Sequence, residues 1–143
     1  MIRQDSSRCP VWVLVGCQVT CLTADGQTTR WRWRPPSNGG DQRPFFPSAI
    51  SVDCTSGHVF VADLYNEKIY WLDSAGRCGG GAVLARGAGL RGGPAAVAVD
   101  GDRRLLYVAD EERTVRVFSY SAADHDHSTL TLVRPASADN VFC

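Results

Sequence analysis

Lysine is almost missing from this chain: of its fifteen basic residues only Lys68 is lysine, and the other fourteen are arginine. Such a bias fits GC-rich coding at least as readily as a use for the planar guanidinium. Net charge is missing too, because fifteen acids balance fifteen bases, and that excludes a strong overall attraction to nucleic acid or to anionic membranes. The charge is nonetheless uneven. Residues 1–46 carry six Arg against three Asp, whereas Asp100 to Glu112 carry five acids against two Arg. No long apolar run occurs. The best candidate, VWVLVGCQVTCL, is broken by Gly16, Gln18 and Thr20 and is too short to cross a membrane as a helix. With MIRQDSSR before it the segment has the layout of a poor signal peptide, but no small-x-small cleavage site follows. The reading therefore leans towards an intracellular protein.

Chemical motifs are scarce as well. There is no Ser-His-Asp order, no phosphate-binding glycine loop and no zinc-protease helix motif; the glycines of RCGGG and GAGLRGG lack a strand-to-helix setting. Six cysteines, at 9, 17, 21, 54, 78 and 143, show no C-x2-C metal spacing. Cys17 and Cys21, four apart on an expected strand, would share a face but lie ~13 Å apart, too far for a disulfide. Cys54 has Gly101 at its equivalent position, so the cysteines form no repeated framework, and free, largely buried thiols are expected.

What the chain does have is a repeat. PSAISVDCTSGHVFVAD, Pro47 to Asp63, returns as PAAVAVDGDRRLLYVAD, Pro94 to Asp110, at an offset of 47 residues without a gap and with seven of seventeen positions identical. Three further pairs, Ile50/Val97, Val59/Leu106 and Phe60/Tyr107, keep an apolar group in place. A period in the forties belongs to propeller blades or helical arrays. Val, Ile, Phe, Tyr and Trp fill the short runs, Gly, Asp and Ser punctuate them, and no sustained helical period occurs, so each unit is several short strands. Runs such as VFVA and LLYVA are apolar at consecutive positions, as expected of strands covered on both faces.

A degraded copy precedes these two: PVWVLVG resembles HVFVAD and QVTCL resembles KIYWL. The chain thus divides into a partial first blade with its link (1–46), a complete blade (47–93), a further blade (94–135) and the start of another blade or a tail (136–143). The expected fold class is all-β, a partial β-propeller of about three four-stranded antiparallel blades. The second blade is expected to hold strands at Ala49–Asp53, Val59–Ala62, Ile69–Leu72 and Ala82–Ala85, the last entered through the turn RCGGG; in the third, DHDHS leads into TLTLV. Propellers close with ~4–8 blades, so about three imply a fragment of a longer protein, a truncated gene model, or a half-propeller that needs further blades or self-association to close.

The pattern P-x-x-[IV]-x-V-D, then [FY]-V-A-D, then a polar turn and an apolar strand resembles the NHL repeat, a six-bladed propeller family. PSAISVDCTSGHVFVADLYNEKIYWLDSAG matches closely, with Asn66, Lys68 and Ile69 at the family's N-x-[RK]-I, while EERTVRV in the third unit is one residue shorter and lacks the Asn. The YWTD propeller is the nearest rival; V-A-D in place of Y-W-T-D favours NHL. The NHL resemblance implies a binding scaffold with protein partners first and RNA second, no membrane insertion and no cofactor. The alternative class is a propeller enzyme, gluconolactonase-like or amidating-lyase-like, whose catalytic residues lie mostly outside this chain.

On a rigid repeated frame, recognition belongs in the connections. The candidates are Tyr65, Asn66 and Glu67 in one turn, Glu111, Glu112 and Arg113 in its counterpart, and Arg43 in the link 38–43. RWRWR, Arg30 to Arg34, alternates with period two. Aromatic rings beside guanidinium groups suit single-stranded nucleic acid, which makes Arg30, Arg32 and Arg34 possible RNA contacts, but an outer strand with Trp31 and Trp33 packed inward and Arg in solvent explains the pattern better. Asp124-His125-Asp126-His127 carries metal-ligand types in what reads as a solvated loop. The recurrent Asp53, Asp63, Asp100 and Asp110 read as turn-stabilising acceptors of backbone N–H groups rather than as a metal site.

Overall fold

The computed structural model describes residues 11–35, 44–72, 78–83, 92–120 and 131–135. Among the described residues eleven strands make three antiparallel sheets and there is no helix. The first sheet holds β1 (Val11–Val15), β2 (Gln18–Leu22) and β3 (Thr29–Trp33). The second runs β4 (Pro47–Asp53), β5 (His58–Asp63), β6 (Lys68–Leu72), β7 (Cys78–Val83), and the third β8 (Pro94–Asp100), β9 (Leu105–Asp110), β10 (Val115–Ser119), β11 (Thr131–Pro135), each a simple meander. The all-β, antiparallel blade architecture is the expected fold class.

The 47-residue repeat is reproduced pair by pair. Val52 faces Val59 across β4 and β5, and Val99 faces Leu106 across β8 and β9; both pairs of strands carry an irregularity just after their leading proline. Both β4–β5 and β8–β9 turns place the residue before the returning strand in the left-handed region, Gly57 at φ 80° and its counterpart Arg104 at φ 55°. Glycine takes that conformation freely, whereas arginine does so at a cost of roughly 1 kcal/mol.

Strands apolar at every position are covered on both faces, as expected. β5 is buried throughout, because alternate side chains feed two different cores. Phe60 and Ala62, with Ile69 and Trp71, pack on Leu106, Val108 and Phe118 of the third blade; Val59 and Val61, with Tyr70 and Leu72, pack on Val19, Trp12, Leu14, Trp31 and Trp33 of the first. The second blade is therefore sandwiched.

Four expectations are corrected. The fourth strand of the second blade begins at Cys78, not Ala82, so the glycines form strand rather than turn: Gly80 and Gly81 pair with Trp71 and Tyr70. A strand without side chains at these places leaves room beside two large rings. In the third blade β11 spans Thr131–Pro135 and continues past the expected run. Cys17 lies in the turn between β1 and β2 rather than on a strand, and Cys54 is disulfide-bonded rather than free. Cys17 and Cys21 do carry free thiols, exposed and buried respectively; burial raises the pKa of the Cys21 thiol, with Arg30 pulling the other way.

Candidate functional site

In a four-stranded antiparallel meander the first and third turns share one end and the second turn shares the other with the links between blades. Here the turns 64–67 and 111–114 lie at the same end as the segments entering β4 and β8, while 54–57 and 101–104 lie at the opposite end. The sequence candidates Tyr65, Asn66, Glu67, Glu111, Glu112 and Arg113 are thus brought to one end of adjacent blades.

Buried carboxylates build both turns. Asp63 accepts the backbone N–H groups of Asn66 and Phe46, each at 3.3 Å, and the Asn66 side-chain amide at 2.7 Å. Asp110 accepts the N–H of Glu112 at 3.0 Å and of Thr114 at 2.7 Å. Asp53 receives Thr55 and Ser56, and Asp100 receives Arg103. All four recurrent aspartates therefore accept turn N–H groups, as expected of Asx-type turns. Left-handed residues, Glu67 at φ 54° and Arg113 at φ 66°, return the chain into β6 and β10.

The link before β4 joins the first turn. Leu64 N–H donates to the Phe46 carbonyl at 3.1 Å, and the Phe46 ring stacks on Tyr65 with centroids 4.6 Å apart and an interplanar angle of 27°. Both rings stay open to solvent, at 43% and 46% exposure. Offset stacking of this kind is favourable, yet it leaves the outer faces wet. At the counterpart of Phe46 stands Gly93, whose N–H donates to the Glu111 carboxylate at 3.0 Å. A Cβ on Gly93 would meet Leu64 of the neighbouring blade, with its carbonyl carbon at 2.8 Å, so glycine is what lets the two turns abut. The result is a continuous strip: the Phe46–Tyr65 platform, Leu64 and Gly93 in the middle, and exposed Glu111, Glu112 and Arg113 beyond. Arg43 lies outside the described residues, as do the rest of the link 38–43 and the Asp-His segment 124–127.

The Arg-Trp strand adopts the inward-Trp arrangement. Arg30, Arg32 and Arg34 are exposed, whereas Trp31 packs edge-on to Trp12 at 4.3 Å and Trp33 to Tyr70 at 5.3 Å and Phe45 at 5.9 Å. Those rings hold the first two blades together and are not turned outward for base stacking.

The opposite end carries an inter-blade contact that the repeat gave no sign of. The Tyr120 hydroxyl, just past β10, donates to Asp53 Oδ2 at 2.7 Å across the second and third blades. Burial pushes the Asp53 carboxyl up, but hydrogen bonds from Tyr120, Ser56 and Thr55 outweigh it and hold its pKa below the ordinary value. Burial first, and then Asp53, drive the Tyr120 pKa well above that of a free phenol, against a smaller pull from Arg104. Gly101 makes room for this carboxylate, whose Cγ would lie 3.0 Å from a Cβ there. Phe46 and Gly93 were also missed in the sequence. Their signal was the position before each repeated proline, where one unit has an aromatic ring and the other no side chain.

With this geometry the chain is an all-β array of β-propeller blades. It is similar in structure to hydrazine synthase of Kuenenia stuttgartiensis, with a TM-score of 0.64 and 14% identity over 89% of this chain and 32% of that one. It is similar also to U3-55K, with a TM-score of 0.64 and 10% identity over 90% and 36%, and to BamB of Moraxella catarrhalis, with 0.53 and 11% over 96% and 37%. Neighbours of this kind are propeller-type proteins, and at such identities the likeness shows the fold. The chain spans about a third of the length of each. No protein-family model matches the sequence, and none of the curated proteins matches it.

Proposed function

We propose that this chain is an NHL-type propeller segment that serves as a scaffold for a protein partner, recognised along the strip from Phe46 and Tyr65 to Glu111 and Glu112. The observation that carries the reading is the exposed, stacked Phe46–Tyr65 pair. Two aromatic rings fixed by backbone hydrogen bonds at the mouth of a rigid sheet are a low-entropy anchor of the kind that dominates protein interfaces. Acidic side chains beside it suit a partner segment that carries a basic residue next to an apolar one, the cation being attracted both by carboxylate and by ring face. The V-A-D and Asn66-Glu67-Lys68-Ile69 patterns support the NHL assignment.

A second reading, RNA binding, is favoured by the comb of Arg30 and Arg32 on β3 and Arg34 just past it. With both Trp rings packed inward, such binding would run through phosphate contacts alone and would be strongly salt-dependent.

The test places a photoreactive residue at Tyr65 or Glu112 and, as control, at Thr55 or Asp102 at the opposite end. Protein adducts from the first pair only, lost on adding Phe46→Ala, are expected. Adducts from the control positions alone would reject the recognition strip. Salt-sensitive RNA retention abolished by changing the three arginines to Gln would replace the protein reading with the RNA one.

A further inference from the structure

Among the described residues the first and third blades each show an open face, and the two faces are counterparts of surfaces that already pack on each other within the chain. On the first blade, Trp12 and Leu14 point at the second blade, so Val11, Val13 and Val15 point away from it; Val11 is 38% and Val15 53% exposed. On the third blade, Val97, Val99, Leu106 and Val108 point at the second, which leaves Ala96, Ala98, Tyr107, Ala109, Val115 and Val117 on the outward face, with Ala96 and Ala98 exposed.

The repeat shows what each face is built to meet. Ala96, Tyr107 and Ala109 occupy the places of Ala49, Phe60 and Ala62, the residues with which the second blade covers the third. Val11 and Val13 occupy the places of Val59 and Val61, the residues with which the second blade receives the first. The third blade thus ends in a covering surface, and the first blade begins with a receiving one.

We propose that these faces bind a second copy of this chain head to tail, the third blade of each copy seated on the first blade of the other. Two identical contacts then close around a two-fold axis into a ring of six blades, within the range in which propellers close. The inference stands apart from the recognition strip, which lies at the ends of the blades rather than on their faces.

Sedimentation equilibrium of the 143-residue chain across a concentration series is the test. A monomer–dimer equilibrium that stops at the dimer is expected; a monomer at every concentration, or an open-ended ladder of larger species, overturns the proposal. Two surface variants define the faces: Val11→Glu with Val15→Glu on the receiving side, and Ala96→Glu with Ala98→Glu on the covering side. An unpaired charge buried at the contact should weaken dimerisation by about a hundredfold or more, so each variant alone should be monomeric while keeping the β-sheet circular dichroism of the parent. Mixed one to one they retain one intact face each and should form a heterodimer. Failure of the mixture to associate, or dimerisation of either variant alone, refutes the head-to-tail arrangement; the parent series decides the matter if a variant does not fold.

Discussion

Replacing Tyr120 with Phe removes one oxygen and tests whether the second and third blades are locked at that end. The ring would stay where it is, in edge contact with Phe60 at 4.8 Å and packed on the core between the two blades. What disappears is the donor of a 2.7 Å hydrogen bond to a carboxylate whose residue is only 2% exposed. A hydrogen bond to a charged group contributes about 1.5–3 kcal/mol. Asp53 keeps the N–H groups of Thr55 at 2.9 Å and Ser56 at 3.3 Å, so the carboxylate is not stranded and the lower part of that range, about 1.5–2 kcal/mol, is expected. In a chain of this size that corresponds to a loss of roughly 4–8 °C in melting temperature.

The pH dependence gives the sharper check. The folded Asp53 pKa lies below its ordinary value, so its share of stability is present above the unfolded pKa of about 3.9 and is lost as pH falls through the lower folded value. The folded Tyr120 pKa is raised, so its share is present below the unfolded value of about 10 and is lost as pH rises through the folded one. The gap between parent and Tyr120→Phe should therefore be a plateau from about pH 5 to pH 9 that shrinks on both sides. Urea unfolding at a fixed protein concentration, repeated over that range, measures it. A gap under about 0.5 kcal/mol at neutral pH, or one that is as large at pH 2.5 as at pH 7, refutes the inter-blade hydrogen bond as a source of stability.

Gly93→Ala should destabilise by about 1–3 kcal/mol, because its Cβ would run into the backbone of Leu64 and neither blade can yield without moving the other; a melt unchanged within error would contradict the close approach. Trp33→Ala should cost about 3–5 kcal/mol through lost packing on Tyr70 and Phe45, whereas changing Arg30, Arg32 and Arg34 together to Gln should shift unfolding by no more than about 0.5 kcal/mol. Equal losses in the two variants would mean that the arginines, not the rings, hold β3 in place.

The architecture was legible because a repeat exposes its own constraints. Ile50/Val97 and Val59/Leu106 are apolar in both units since each stands at the same depth between two blades, and doubly apolar runs are what a sandwiched strand such as β5 requires. The strand entered at Cys78 was misplaced because its glycines carry no side-chain pattern, and glycine runs signal turns far more often than edges beside large rings. The turns at Tyr65 and Glu112 were legible as turns from their Asp and Asn, and the antiparallel order then forces them to one end. Phe46 stacking on Tyr65, Gly93 against Leu64 and Tyr120 on Asp53 were not legible: the first two join a turn to a link of different length in each unit, and the last joins residues 67 apart in sequence.

The same repeat separates what the frame needs from what differs between its copies. Asp63 and Asp110 are equivalent, both buried and both bound to turn N–H groups, so they belong to the frame and no blade-specific chemistry attaches to them. At the next positions the frame is silent: Leu64 answers to Glu111, Tyr65 to Glu112 and Phe46 to Gly93, although the turns that carry them hold the same place in their blades. A Cβ at position 93 is forbidden by the neighbouring blade, which explains that one difference sterically. No comparable steric demand sets Tyr65, nearly half exposed, or Glu112, exposed, with its backbone N–H given to Asp110. Residues that differ between turns at the same place in the frame are where a propeller can acquire a partner without disturbing its blades, and the proposed recognition strip therefore lies at the end of the molecule where the repeat breaks down rather than on the strands where it holds.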